Sequence, residues 1–127
     1  MSYNWSEKTI LIAEDIDANF LFLEKILQDT KVKIVRAING KEAIDIYKEN
    51  QNINLILMDI RMPEIDGFDA TKEIKKINKN VPIIVETAYS IEHGKEMGKE
   101  SGCDDYIVKP ININKLIAVI NKHINNC

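Results

Sequence analysis

Five short apolar segments recur along the chain, and each is followed by a stretch in which apolar residues have helical spacing. The apolar segments show little alternation of polar and apolar positions, which is typical of strands covered on both faces. The third is the most continuous, because Leu55 to Met58 is entirely apolar and stops at Asp59. We therefore predict five strands, at residues 8–13, 32–37, 55–58, 81–85 and 104–108.

The segments between the strands predict five helices. Phe20, Leu23 and Leu27 share one face of the first, and Asp17 is a candidate for its N-cap. The segment at 91–101 is polar and contains two glycines, so we expect a mobile helix there. The predicted helices span residues 18–28, 41–50, 68–77 and 91–101, and a last helix follows Asn112.

Strands that alternate with helices predict an open parallel sheet with helices on both faces. The second strand, Val32 to Ala37, is short and partly charged, which is typical of an edge strand. The doubly wound strand order 2-1-3-4-5 fits this pattern. In such a sheet the binding crevice lies beyond the carboxyl ends of the first and third strands.

Composition narrows the class of protein. The chain has 127 residues and 45% hydrophobic content, enough for one core. We assign residues 8–127 to a single domain and residues 1–7 to a lead-in. The net charge of -3 and the absence of a long basic run argue against nucleic-acid binding. No apolar run is long enough to span a membrane, so we expect no membrane contact by this domain. Cys103 and Cys127 do not have the spacing of metal-binding or redox-active cysteine motifs, so we predict free thiols. Because the N-terminus has no signal-peptide pattern, we predict a cytoplasmic location.

Three carboxylates follow two strands that are neighbours in the predicted sheet. Glu14 and Asp15 end the first strand and Asp59 ends the third. At ~4 Å and an effective dielectric constant near 20, each like-charge pair costs on the order of 4 kcal/mol. A divalent cation would offset this repulsion. Because the candidate ligands are hard oxygens, we expect Mg²⁺, with Mn²⁺ as an alternative.

Two further polar residues lie at strand ends. Thr87 follows the fourth strand and Lys109 follows the fifth. Taken singly, the first is typical of a turn and the second of a solvated charge. Together with the carboxylates they suit attack by an ionised Asp59 on phosphorus, with the ammonium and hydroxyl groups stabilising the phosphoryl oxygens.

The set of motifs resembles the response-regulator receiver domain of two-component signalling, which has a flavodoxin-like (CheY-like) fold. The resemblance covers nearly the whole chain, and the combination is specific although each piece is weak. Its motifs are Glu14-Asp15, Asp59 with Met62-Pro63 and Asp66-Gly67, Thr87-Ala88, and Lys109-Pro110.

The resemblance implies a role for each matching residue. Asp59 would accept a phosphoryl group from a phosphohistidine on a histidine kinase or a histidine phosphotransfer domain. Asp15, Asp59 and the backbone carbonyl of Arg61 would hold Mg²⁺, and Glu14 would reach the ion through water. The phosphoryl oxygens would contact the side chains at positions 87 and 109. Tyr106 matches the switch aromatic of the family, so the surface formed by residues 87–110 would report phosphorylation to a downstream protein.

Three further positions near the site carry expectations of their own. Arg61 and Tyr89 lie two residues beyond Asp59 and Thr87, where bulky groups would screen the phosphoryl group from water and slow its hydrolysis. Glu86 stands where many receivers have an apolar residue, and we expect a partly exposed carboxylate at the end of a strand.

The origin of the chain has two interpretations, and its chemistry has one rival. Asn4 to Glu7, and Asn19 after the acidic pair, resemble receivers of hybrid sensor histidine kinases; a free-standing response regulator is the alternative. Neither version makes this chain an enzyme, although it would catalyse its own phosphorylation and dephosphorylation. The rival is a phosphatase of the haloacid dehalogenase type that uses Asp15 and Asp17.

Overall fold

The computed structural model describes residues 3–62, 64–88 and 100–125, and within them the predicted alternation of strands and helices is present. The strands are β1 (Thr9–Ala13), β2 (Lys33–Ala37), β3 (Leu55–Asp59), β4 (Ile83–Thr87) and β5 (Asp105–Val108). The α-helices in these ranges are α1 (Asp17–Leu27), α2 (Gly40–Glu49), α3 (Gly67–Ile77) and α4 (Ile113–His123), and a 3₁₀ turn spans Gln28–Thr30.

Four of the five predicted helices are present in the described ranges. The fifth, predicted at 91–101, falls almost entirely within residues 89–99, which are outside them. None of the helices in the described part of the chain is long and apolar enough to cross a membrane.

All five strands are parallel, in the order β2-β1-β3-β4-β5, which confirms the predicted topology. The register aligns the ends of neighbouring strands. Asp59 of β3 lies opposite Glu86 of β4, and Thr87 lies opposite Val108 of β5. The carboxyl ends of β1, β3, β4 and β5 therefore form one rim, and residues at these ends lie near one another.

Each face of the sheet packs against its own pair of helices. Residues on alternate positions of each strand point to opposite faces, so the same strands supply both cores. The face toward α2 and α3 includes Leu11, Met58 and Val85. The face toward α1 and α4 includes Ile12, Leu57 and Ile84. Because both faces are covered, the central strands are apolar at nearly every position.

The N-terminal residues pack onto the domain. Trp5 is buried in the core on the α1 and α4 side, its backbone N–H donates to the Thr30 carbonyl at 2.7 Å, and its ring stacks on Tyr3. Burial of an indole ring on this scale removes a large apolar surface from water. Trp5 thus holds the start of the chain against the end of the first helix.

Side chains cap three of the four helices. Asn39, Asp66 and Asn112 each accept a hydrogen bond from the backbone N–H three residues later. The expectation that Asp17 caps α1 was wrong, because Ile16 occupies the N-cap position and makes no side-chain cap. Asp17 is the first helical residue, and its carboxylate pairs with Arg36 at 2.8 Å.

Gly67, the first residue of α3, lies against the end of β3. A Cβ atom at this position would be 2.2 Å from the Asp59 carbonyl oxygen. The Gly67 N–H donates to the Ile60 carbonyl at 3.0 Å, so the helix and the strand end approach at backbone distance. No larger residue fits here without moving the backbone of Asp59.

We expect Gly67→Ala to lower the free energy of unfolding by about 1–3 kcal/mol, the usual cost of overpacking. Gly102→Ala is the control, because Gly102 has a positive φ of 84° but a Cβ atom there would lie at an ordinary contact distance, 3.8 Å, from Lys75 Cγ. The control should lose about 1 kcal/mol of stability from its backbone conformation alone. Urea denaturation measures both variants. A Gly67→Ala protein with wild-type stability would contradict the close approach.

Candidate functional site

Three carboxylates converge at the rim of the sheet. Glu14, Asp15 and Asp59 each place a carboxylate oxygen within 4.8 Å of those of the other two. Glu14 and Asp59 are buried, and Asp15 is half-buried. The Asp15 Oδ1 atom is buried and has no hydrogen-bond partner among the described residues. The structure thus brings together the three acidic residues that the sequence predicted to meet.

The alternation of the strands explains this convergence. Side chains two residues apart on a strand share a face. Glu14 follows Ile12 by two residues and Asp59 follows Leu57, and both apolar residues belong to the core beneath α1 and α4. These two carboxylates therefore continue the rows of that core into the rim.

Lys109 lies directly against Asp59. Its Nζ atom donates to Asp59 Oδ1 at 3.0 Å, and its backbone N–H donates to the Thr87 carbonyl at 2.7 Å, which fixes the chain after β5. Partial burial acts to lower the pKa of Lys109, but the hydrogen bond and the negative charges of Asp59, Glu14 and Glu86 outweigh it and raise the pKa. The ammonium group is therefore charged throughout the neutral range.

Thr87 and Tyr106 lie on the two neighbouring strands β4 and β5. Thr87 ends β4 at the rim and is buried. Tyr106 is half-buried and packs against the core on the α2 and α3 side, opposite Val85 in the β4–β5 register. The ring is therefore partly inside and partly outside the core, which agrees with an amphipathic side chain at a strand edge.

The loop after Asp59 turns back toward its carboxylate. The Arg61 N–H points at Asp59 Oδ1 at 3.4 Å, and Arg61 itself is exposed. The Met62 N–H donates to the Ile60 carbonyl at 3.1 Å. Pro63 and Tyr89 lie outside the described residues.

The donor set fits a hard divalent cation. All candidate side-chain ligands are carboxylates, and Mg²⁺ prefers oxygen ligands. Burial first, and then the charge of Asp59, raise the pKa of Glu14 to about 7, so without a cation the group of carboxylates resists full ionisation. The unpartnered Asp15 Oδ1 is a ready ligand. Residues 14, 15 and 59 are therefore suited to holding Mg²⁺.

Glu86 was expected to be partly exposed, and this was wrong. The residue is 0% exposed, and neither carboxylate oxygen has a hydrogen-bond partner among the described residues. Glu86 follows Ile84 on the face covered by α1 and α4, so the helices bury it. Burial, and then the charge of Asp59, raise its pKa to about 8. Glu86 comes two residues after the apolar Ile84 and therefore lies on the same face of the strand. This spacing was the sequence signal that indicated its burial.

Arg36 is a contact of the site that the sequence did not reveal. It lies on β2, which the pattern marks as a partly charged edge strand, but its guanidinium group donates to the backbone carbonyl of Glu14. In the sequence, Arg36 resembles any charged residue of an edge strand. No local sequence signal therefore marked it as a contact of the site.

The family comparison decides between the interpretations of this rim. The family model of the response regulator receiver domain matches residues 10–121, which is most of the chain. The chain is a response-regulator receiver domain. It therefore belongs to two-component signalling.

A relative and two solved structures place the receiver among proteins of this class. It is 41% identical over 91% of its length to Hybrid signal transduction histidine kinase I of Dictyostelium discoideum, but spans only 7% of that protein. It matches the receiver domain of the Pseudomonas aeruginosa sensor histidine kinase PA1611, solved with magnesium in the active-site cleft, with a TM-score of 0.84 and 29% identity, over 93% of this chain and 98% of that one.

The second structure shows a receiver with its partner. It contains the Saccharomyces cerevisiae histidine phosphotransfer protein Ypd1 and the receiver domain of its downstream response regulator Ssk1. The match has a TM-score of 0.83 and 32% identity, over 91% of this chain and 88% of that one.

The positions of Asp15 and Asp17 argue against the phosphatase interpretation. It requires Asp15 and Asp17 to act together, but Asp17 is outside the group of converging carboxylates. The Asp17 side chain is 85% exposed and pairs with Arg36 at 2.8 Å. Helix α1 begins at Asp17, so its side chain lies on the helix surface.

The buried carboxylate of Glu86 predicts a pH dependence of stability. Its folded-state pKa of about 8 lies above the ordinary value of 4.5, so between these values the folded receiver retains a proton that the unfolded chain has released. Stability should therefore fall as pH rises through this window. In EDTA, we expect Glu86→Gln to gain on the order of a few kcal/mol relative to wild type between pH 5.5 and pH 8.5.

Urea denaturation of both proteins at the two pH values measures the difference. Glu49→Gln is the control, because Glu49 is exposed at the end of α2 and should leave the pH profile unchanged. Parallel profiles for Glu86→Gln and wild type would show that the carboxylate is ionised or solvated in the folded receiver.

Proposed function

We propose that Asp59 accepts a phosphoryl group from a phosphohistidine on a partner protein. The observation that carries this proposal is the placement of Asp59 between Lys109, whose Nζ lies 3.0 Å from its Oδ1, and the carboxylates of Glu14 and Asp15. A carboxylate oxygen of Asp59 attacks phosphorus, and the bond from phosphorus to the imidazole nitrogen breaks. The imidazole leaves with the electron pair of that bond and takes up a proton.

Asp15, Asp59 and the backbone carbonyl of Arg61 would hold Mg²⁺ directly, and Glu14 would hold it through water; Mn²⁺ suits the same hard oxygens. When bound, the ion neutralises negative charge on the carboxylates and the phosphoryl oxygens. The convergence of the three carboxylates and the magnesium in the Pseudomonas aeruginosa receiver support this assignment.

Lys109 and Thr87 would stabilise the phosphoryl oxygens. The Lys109 ammonium bonds to Asp59 in the unphosphorylated protein, so it is already at the point where negative charge develops. Thr87 ends the neighbouring strand and carries a hydroxyl donor. The Arg61 N–H, which points at Asp59 Oδ1, adds a backbone donor.

Thr87 and Tyr106 would form the switch. Movement of Thr87 toward the phosphoryl group would leave space behind it, and the half-buried Tyr106 ring on the neighbouring strand could turn into that space. The surface formed by residues 87–110 would then change shape for a downstream protein. The partial burial of Tyr106 supports a side chain with two available positions.

A partner histidine kinase or phosphotransfer domain must reach Asp59 from the rim side. Two exposed apolar residues lie at the carboxyl ends of the strands, since Ile16 follows β1 and Ile38 follows β2. Apolar side chains near a polar site are typical of a protein contact. The complex of Ypd1 with the Ssk1 receiver supports this class of partner.

The likeness to a Dictyostelium discoideum hybrid kinase supports an origin in a hybrid sensor histidine kinase. A free-standing response regulator is the alternative, and a cytoplasmic location suits either. In both cases the chain contributes to phosphorylation of its own Asp59 and to its hydrolysis.

The direct test is incubation with acetyl phosphate and Mg²⁺, followed by mass spectrometry of the labelled peptide. We expect one phosphoryl group on Asp59, no labelling in EDTA, and loss of labelling in Asp59→Asn. Asp45→Asn is the matched control and should label normally, since Asp45 is exposed on α2 and outside the group of carboxylates. Labelling at any residue other than Asp59, or labelling that ignores Mg²⁺, would refute the proposal.

The side chains of Arg61 and Tyr89 are proposed to slow hydrolysis of the phosphorylated receiver. We expect Arg61→Ala combined with Tyr89→Ala to shorten the phosphorylated lifetime several-fold, because water would approach phosphorus more freely. Decay of the labelled protein after removal of acetyl phosphate measures the lifetime. Lys33→Ala, at an exposed position on β2, controls for loss of a positive charge. An unchanged lifetime would remove both residues from this role.

A further inference from the structure

The Arg36 side chain bonds to the segment that joins β1 to α1. Its Nε and Nη2 atoms both donate to the backbone carbonyl of Glu14 at 3.1 Å. Its Nη1 atom lies 2.8 Å from Asp17 Oδ1, and its guanidinium carbon lies 4.7 Å from the centroid of the Phe20 ring. One guanidinium group thus holds residues on both sides of Asp15.

Other hydrogen bonds also restrain this segment, and one of them runs from the Ile16 N–H to Glu14 Oε2 at 3.2 Å. β1 ends at Ala13, and the N-cap of α1 is Ile16, whose side chain makes no cap. The Glu14 N–H donates to the Ala37 carbonyl at 2.9 Å, which continues the β1–β2 ladder by one bond. Because β2 also ends at Ala37, the Arg36 side chain supplies the donors for the carbonyl of Glu14.

We propose that Arg36 is a positioning residue for the metal-binding pair Glu14 and Asp15, and that it acts through the Glu14 carbonyl. The inference rests on the magnesium site of the proposed function. Groups that hydrogen-bond the supports of metal ligands fix ligand orientation, and their loss usually weakens metal binding 10–100-fold. The planar fork of arginine donates to two acceptors at once, which the single ammonium of lysine does less well.

The direction in which Mg²⁺ affinity changes when Arg36 is replaced distinguishes a positioning role from a purely electrostatic one. Arg36 carries a positive charge close to the carboxylates. If charge alone mattered, its removal would make the site more negative and Mg²⁺ would bind more tightly. If Arg36 positions the pair, its removal allows Glu14 and Asp15 to sample other orientations, and Mg²⁺ binds more weakly.

The test uses Arg36→Met, which keeps an unbranched apolar stem, and Arg36→Lys, which keeps the charge. Lys33→Met is the matched control, because Lys33 is exposed on the same strand. Calorimetric titration with MgCl₂ gives the dissociation constant, and the rate of phosphorylation by acetyl phosphate is followed as a function of Mg²⁺ concentration. Urea denaturation in EDTA measures the stability of each folded protein.

We expect Arg36→Met to raise the Mg²⁺ dissociation constant about tenfold, with most of the maximal phosphorylation rate recovered at saturating Mg²⁺. Arg36→Lys should fall between this variant and wild type, and Lys33→Met should match wild type within about twofold. If Arg36→Met does not fold, Arg36→Lys decides alone, because a dissociation constant equal to that of wild type would overturn the proposal.

Two results would overturn the role of Arg36 while leaving the magnesium site intact. One is an Mg²⁺ dissociation constant in Arg36→Met that is unchanged or lower. The other is a loss of stability in EDTA with wild-type Mg²⁺ affinity, which would make Arg36 a purely structural residue. Failure of the wild-type protein itself to bind millimolar Mg²⁺ would instead overturn the metal site and, with it, this inference.

Discussion

The hydrogen bond from the Lys109 ammonium to the Asp59 carboxylate is the interaction on which the rim depends. Asp59 is almost fully buried and lies within 4.8 Å of two other carboxylates, so an ionised Asp59 needs a nearby positive charge. Lys109 supplies it at 3.0 Å. Burial, and then the charge of Asp59, still raise the pKa of Glu14 and leave the site suited to a divalent cation. Repulsion among buried carboxylates is thus the physical reason why the site suits a metal ion.

The backbone holds these charges together against their repulsion. The β3–β4 register places Asp59 opposite Glu86, and the absence of a side chain at Gly67 lets α3 approach the Asp59 carbonyl. On the other side, β2 contributes through the carbonyl of its last residue, Ala37, and through the Arg36 side chain. The elements around the site therefore supply rigidity, while the side chains at the rim supply the chemistry.

The sequence predicted the sheet well because the strands are covered on both faces and read as continuous apolar runs. It also placed Glu14, Asp15, Asp59 and Lys109 at one rim, since the carboxyl ends of neighbouring parallel strands meet. It misplaced Glu86, because a charged residue near a strand end usually reaches water, whereas here the face covered by α1 and α4 extends to that position.

Other errors have a similar cause. Aspartate is a residue type that is favoured at N-caps, but helix α1 begins one residue earlier than predicted. The Asp17 carboxylate pairs with Arg36 instead. That partner is 19 positions away in sequence and meets Asp17 only through the β1–β2 pairing. Contacts of this kind depend on tertiary register, which periodicity and local propensity do not specify.

On our proposal, Asp59, the neighbouring carboxylates and Lys109 together form one magnesium-dependent acceptor for a phosphoryl group. The decisive measurement is a crystal structure of the protein with Mg²⁺ and beryllofluoride, a mimic of the phosphoryl group. We expect beryllofluoride bonded to Asp59, Mg²⁺ beside it on Asp15 and Asp59, and Lys109 Nζ moved from Asp59 onto a fluorine atom. Beryllofluoride absent from Asp59 at saturating concentration, or Mg²⁺ bound away from Asp15, would contradict it.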